Sequence, residues 1–96
     1  MSSAYIIANV DVSNPEQYES YKKLSTIAMQ AHGAEVCVRG GNAESLEGSW
    51  LPSRLVILKF ADREKAKSFY NSAEYAAART ARRGAATMQM ILVDGT

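Results

Sequence analysis

The stretch AYIIANVDV, residues 4–12, does most to limit what this chain can fold into. Ile6, Ala8, Val10 and Val12 make one wholly apolar set, and Tyr5, Ile7, Asn9 and Asp11 make the other. In an extended strand the two sets point to opposite sides. One side therefore needs an apolar cover, while the other is half apolar and carries an amide and a carboxylate. RLVILKF (54–60) repeats the pattern, with Val56, Leu58 and Phe60 on one side and Leu55, Ile57 and Lys59 on the other.

The cover for the first side is legible between the strands. Asn14 suits a helix cap and Pro15 the first helical position, with Glu16 and Gln17 in the first turn. Tyr18, Tyr21, Leu24, Ala28 and Ala31 then recur at helical spacing as one apolar stripe, which Gly33 ends. AEVCVR (34–39) reads as a second strand, with Val36 and Val38 facing one way and Glu35, Cys37 and Arg39 the other. Asp62 opens a second helix with Ala66, Phe69 and Tyr70 inward, and NSAE (71–74) restarts a third that runs to Gly84. ATMQMILV (86–93) closes as a strand. The order β-α-β-β-α(α)-β predicts an α+β, ferredoxin-like plait: a four-stranded antiparallel sheet with its helices on one face. At 96 residues the chain is read as a single domain, 1–96.

The second face then lies open. Leaving ~300 Å² of apolar surface wet forfeits about 7 kcal/mol at ~25 cal/mol per Å². A second copy, sheet to sheet, is the economical cover, so a homodimer through the open sheet face is expected. Because that face is partly polar, its closure is expected to leave a chamber beside the sheet, under the 39–54 loop.

Composition removes several classes. Eleven basic and ten acidic residues leave a net charge of +1, which argues against a phosphate backbone or an anionic lipid surface as the main partner. The strands also lack the glycine-aromatic motif with which plait folds stack nucleic-acid bases, so no nucleic acid is expected. MSSAYIIANV has no basic start and no long apolar run, so neither a secretory signal nor a membrane span is expected. A single cysteine, Cys37, has no internal partner, and no Cys/His cluster has ligand spacing. The expectation is a cytoplasmic protein without metal or cofactor.

The side chains with chemistry gather around RGGNAESLEGSWLPSR (39–54). Gly40 and Gly41 let the chain turn sharply out of the second strand, and Pro52 fixes it before the third. Arg39 and Arg54 flank the loop and meet at one end of the sheet. They form either an ion-pair cluster with Glu47 or a two-guanidinium site for an anion. Trp50 either plugs the core edge or lines an aperture. His32, the one histidine, either neutralises the end of the first helix or exchanges protons. Cys37 reads as a packed residue. Tyr75, Arg79 and Arg82 share a helical face, with Arg83 four residues beyond Arg79; that face is either solvated or a pocket wall.

VRGG (38–41), LEGSWLPSR (46–54), ILKFADREKAKSFYNSAEY (57–75) and LVDG (92–95) together resemble the domain of unknown function 1330 family, of the dimeric α+β barrel superfamily. The likeness spans roughly residues 4 to 95. Arg39-Gly40-Gly41, Glu47-Gly48, Trp50, Pro52, Arg54, Phe60, Ser72, Glu74-Tyr75 and Arg82 match its pattern. Ala73 stands where the family usually has proline, and Phe69 where tryptophan is common. The resemblance implies a plait and a dimer and supplies no settled activity. Related families include metal-free monooxygenases, muconolactone-type isomerases and haem-handling enzymes; haem is disfavoured here because His32 sits at a helix end with no second histidine. The resulting expectation is a small-molecule pocket for an anionic or carbonyl ligand, formed by Asn9, Arg39, Trp50, Arg54, Tyr75 and Arg82. Glu47 or His32 would be its catalytic group if the protein is a metal-free isomerase or oxygenase, and the alternatives are a non-catalytic sensor and a structural dimer.

Overall fold

A computed structural model describes residues 2–96. Strand β1 (Ala4–Val12) leads into helix α1 (Pro15–Ala31), then β2 (Glu35–Arg39), β3 (Leu55–Phe60), α2 (Arg63–Tyr70), α3 (Ala73–Ala81) and β4 (Ala86–Asp94). The strands form one antiparallel sheet in the order β2-β3-β1-β4, the arrangement of a ferredoxin-like plait.

Local chemistry sets the helix starts. The side chains of Asn14, Asp62 and Ser72 each accept a hydrogen bond from a first-turn amide of the helix they precede, those of Gln17, Lys65 and Tyr75. Asn71 instead closes α2, its amide donating to Lys67 and Phe69 carbonyls, so α3 begins one residue later than NSAE implied. α3 also stops at Ala81 rather than Gly84, because Arg82 to Ala85 fold into a turn in which the Ala85 amide donates to the Arg82 carbonyl. Gln17 locks α1 to that turn: its side-chain amide donates to the carbonyls of Ala81 and Arg83, at 3.1 and 2.6 Å.

The helices cover the face formed by Ala4, Ile6, Ala8 and Val10 of β1 and Leu58 and Phe60 of β3. Tyr18, Tyr21, Ala28 and Met29 pack onto it from α1, Ala66 and Phe69 from α2, and Tyr75 and Ala78 from α3. Ala31, expected on the α1 stripe, is exposed at the helix end, and Leu24 is half-buried. Ser25 takes the buried place, satisfied by donating its hydroxyl to the Lys22 carbonyl. An aromatic chain runs through this layer, with ring centres 5.3 Å apart for Phe60–Phe69, 4.7 Å for Phe69–Tyr75 and 6.2 Å for Tyr21–Tyr75.

Strand β2 departs from simple alternation. Val36 pairs with Leu58, but Val38 pairs with Ile57 and Arg39 with Val56, so Cys37 is an extra residue, a β-bulge. A single inserted residue exchanges the two faces for everything beyond it. Arg39, expected on the open face with Glu35, therefore turns to the helix side, and Val38 takes the open face. There Val38, Ile57, Ile7 and Ile91 form an apolar row across all four strands. The adjoining row is Glu35, Lys59, Tyr5 and Val93; a third holds Leu55, Asn9 and Gln89.

Candidate functional site

The bulge brings Arg39 over α1, where its Nη2 donates to Thr26 Oγ1 at 2.9 Å. Thr26 is itself fixed by donating to the Lys22 carbonyl at 2.8 Å. Arg54 reaches the same place from the start of β3. Its backbone is tied to β1 by the Val10 amide, which donates to the Arg54 carbonyl at 2.8 Å, and its guanidinium lies 5.9 Å from the centre of the Tyr18 ring. Gly40, at φ +71°, makes this possible, because the Arg54 guanidinium packs against its Cα.

Arg39, Arg54, Lys22, Lys23 and Thr26 surround an open cleft of about 520 Å³ between α1 and the β2–β3 end of the sheet. Lys22, Arg39 and Arg54 also border a narrow inner cavity of about 30 Å³, lined by the Tyr18, Tyr21 and Tyr75 rings and by Val56, Leu58 and Met88. The two make a funnel with a cationic mouth and an aromatic floor. No carboxylate lines either part. Glu19 lies close by, with Lys22 Nζ 2.9 Å from its Oε1; that hydrogen bond holds the Glu19 carboxyl below its usual value. Arg54 Nε is buried with no acceptor among the described residues, and a buried N–H without a partner is costly unless a ligand or water supplies one.

On the floor, Tyr21 and Tyr75 oxygens are 2.8 Å apart. Burial, the largest cause for each, raises both hydroxyls above the ordinary tyrosine range. The pair therefore stays protonated and serves as donor rather than base. Arg82 stacks 5.6 Å from the Tyr21 ring centre and Arg79 4.7 Å from that of Tyr70. They back the tyrosines from α3 and its C-cap, each with one buried N–H lacking an acceptor among the described residues.

The structure thus gathers Arg39, Arg54 and Tyr75 on one funnel on the helix side of the sheet, with Arg82 behind it. The other expected site residues lie elsewhere. Trp50 is 68% exposed in a loop whose residues 41–51 are all exposed. Glu47 projects from the same loop and does not pair with Arg39 or Arg54. His32 pairs with Glu74, Nε2 to Oε1 3.1 Å, at the far end of α1. Asn9 accepts from the Ser53 amide at 3.1 Å and Asp11 accepts from the Ser53 hydroxyl, so these open-face residues anchor the loop. Tyr18, Tyr21, Lys22 and Thr26 were not singled out as site residues. The tyrosines were visible only as members of an apolar stripe, and the bulge that sends Arg39 toward Thr26 has no sequence signature.

Sheet order, helix placement and the cleft between them define a ferredoxin-like α+β protein. The chain belongs to the family described as Domain of unknown function (DUF1330), whose pattern matches residues 3–96. Its fold is similar to that of the RPA0582 protein of unknown function from Rhodopseudomonas palustris, with 16% identity, a TM-score of 0.76, and 99% of this chain and 83% of that one covered. SnoaB from Streptomyces nogalater, a cofactor-independent oxygenase, is similar at 13% identity and a TM-score of 0.68, over 100% of this chain and 95% of that one. A dimeric ferredoxin-like protein of unknown function from Thermobifida fusca is similar at 10% identity and a TM-score of 0.65, over 97% of this chain and 91% of that one. No protein of curated function matches the chain. Among the described residues no helix is long and apolar enough to cross a membrane, and no three His, Cys, Asp or Glu side chains gather as a metal-binding group.

Proposed function

We propose that each protomer of a homodimer binds a small molecule through an anionic or carbonyl oxygen held between Arg39 and Arg54. The observation that carries this is the convergence of two guanidiniums and Lys22 on one cleft that, among the described residues, no carboxylate lines and that leaves the buried Arg54 Nε without an acceptor. Three cations brought to one open cleft, with Glu19 paired to Lys22 beside it, favour an anion between the two arginines. Guanidiniums also present the fork that binds a carboxylate in two places. Tyr75 and Tyr21 close the floor, and Arg82 backs them.

The dimer is inferred from the apolar row Val38, Ile57, Ile7 and Ile91, whose Ile91 is 60% exposed, and agrees with the description of the Thermobifida protein as dimeric. Trp50, Leu46 and Leu51 project from the loop anchored on that face and join the same interface. A cytoplasmic setting fits the lone, exposed Cys37 thiol.

The enzymatic form of this reading is a metal-free isomerase or oxygenase, supported by likeness of fold to a cofactor-independent oxygenase. In one protomer neither Glu47 nor His32 borders the funnel, so a substrate would enter already ionised. Binding without turnover, as a sensor or carrier, is the second reading, favoured by the same lack of a base on the walls. Calorimetric titration with hexanoate tests the shared claim. Arg54→Ala is expected to weaken binding about tenfold or more; an affinity unchanged within about twofold contradicts it. Oxygen consumption with ionised phenolic acids then separates enzyme from binder.

A further inference from the structure

The funnel floor holds a feature that an anion clamp does not need. Tyr21 and Tyr75 carry two hydroxyl protons between them, and the 2.8 Å bond between the oxygens uses one. Beyond that bond the nearest partner is Met88 Sδ, 3.9 Å from the Tyr21 oxygen, and a thioether is a weak acceptor. The pair thus offers one good donor at the inner cavity, where among the described residues it meets no hydrogen-bond acceptor but that sulfur. At about 30 Å³ that cavity admits roughly two waters. A carbonyl carbon and its oxygen fit there, while an aromatic ring does not.

From floor to mouth the contacts run Tyr75, Tyr21, Tyr18, Arg54. The two ring-to-ring steps are 6.2 and 5.2 Å, and the guanidinium lies 5.9 Å from the Tyr18 ring. Between the ends the walls are apolar, from Val56, Leu58 and Met90. A ligand satisfying both ends needs two oxygen acceptors separated by an apolar spacer, one of them anionic. An ammonium group is excluded from the mouth by Lys22, Lys23, Arg39 and Arg54.

Resting on the anion-binding reading above, we propose that the ligand is an oxo acid: its carboxylate lies at Arg39 and Arg54, and its carbonyl or enolate oxygen accepts a hydrogen bond from the Tyr21–Tyr75 pair. Either single phenylalanine variant leaves one hydroxyl with its proton free, so only the double replacement removes the donor. Replacing both partners by groups of the same shape also leaves no unpaired buried oxygen, and the fold should tolerate it.

The test titrates 4-oxopentanoate, 5-oxohexanoate, 6-oxoheptanoate and 7-oxooctanoate, each beside its unsubstituted parent acid, against the wild-type protein, Tyr21→Phe/Tyr75→Phe and Arg54→Ala, followed by amide NMR shifts. The best oxo acid is expected to bind wild type about tenfold tighter than its parent. In the double-phenylalanine variant that advantage should vanish, and Arg54→Ala should weaken both acids alike. Equal binding of oxo and parent acids across the series, or an advantage that survives the double variant, overturns the oxo-acid proposal and leaves the anion clamp standing. If no acid of either kind binds below about 10 mM, the anion reading fails with it.

Discussion

The guanidinium of Arg54 lies across the Cα of Gly40, so a Cβ at Gly40 would sit 2.6 Å from Arg54 Cζ and 3.1 Å from Nη2. The first residue of the loop and the last before β3 are thus fitted to each other, and the fit aims Arg54 into the cleft. Gly33 and Gly48 have similar positive φ values, +69° and +81°, with open space where a Cβ would go. Alanine at either should cost only the left-handed backbone penalty, about 1–2 kcal/mol. Gly40→Ala adds displacement of Arg54. It should lower affinity for a carboxylate probe about tenfold, while Gly33→Ala and Gly48→Ala leave it within about twofold. Calorimetric titration beside urea unfolding of the three variants checks the split; equal binding losses in all three would mean that Gly40 matters only as a turn.

Gln17 joins α1 to the end of α3 through the carbonyls of Ala81 and Arg83. Terminal helix carbonyls lack intrahelical partners, so Gln17→Leu should destabilise the fold by about 1–2 kcal/mol in urea unfolding. Since α1 and α3 carry Tyr18, Tyr21 and Tyr75, ligand affinity should fall along with stability.

The buried tyrosines carry a pH signature. Burial raises the folded-state pKa of both Tyr21 and Tyr75 above the ordinary value of 10.0. The unfolded chain releases these protons first, so their stabilisation is complete below pH 10 and is lost as pH rises through the folded-state values. Each should add a downward slope of about 1.4 kcal/mol per pH unit above that point. Urea midpoints from pH 9 to 11.5 should therefore fall less steeply for Tyr21→Phe/Tyr75→Phe than for wild type. Parallel curves would show that the pair is wet.

The open face yields a test of assembly. Ile7 and Ile57 stand opposite each other in the row that crosses all four strands. Ile57→Glu places a charge at the centre of the inferred interface. Wild type should sediment as a dimer and the variant as a monomer, with Trp50 emission shifting to the red. A monomeric wild type at micromolar concentration would remove the dimer, though not the funnel, which a single protomer builds.

Strand β1 shows how much of this was legible. Alternation assigned both of its faces correctly, because period-2 hydrophobicity reports burial directly, and the same logic placed Val56, Leu58 and Phe60. It failed in β2, where one extra residue at Cys37 moved Arg39 to the helix side. A bulge changes backbone count without changing composition, so the pattern carries no trace of it. The loop is a different case: Trp50 and Glu47 are chemically prominent, but their location depends on where the chain leaves the sheet. Tyr18 and Tyr21 were read as core, and they are core, yet they also line the funnel. A residue that serves both purposes gives only the packing signal.

In the proposed function the ligand lies between α1 and the helix face of the sheet, against Arg39 and Arg54. Nitrogen-15 NMR of the arginine Nε–H and tryptophan indole signals during a hexanoate titration checks that placement. Saturable shifts of the Arg54 and Arg39 Nε–H signals are expected, with the Trp50 indole unmoved. Shifts confined to Trp50 and the open-face amides of Ile7 and Ile57, or none at the two arginines, would contradict it.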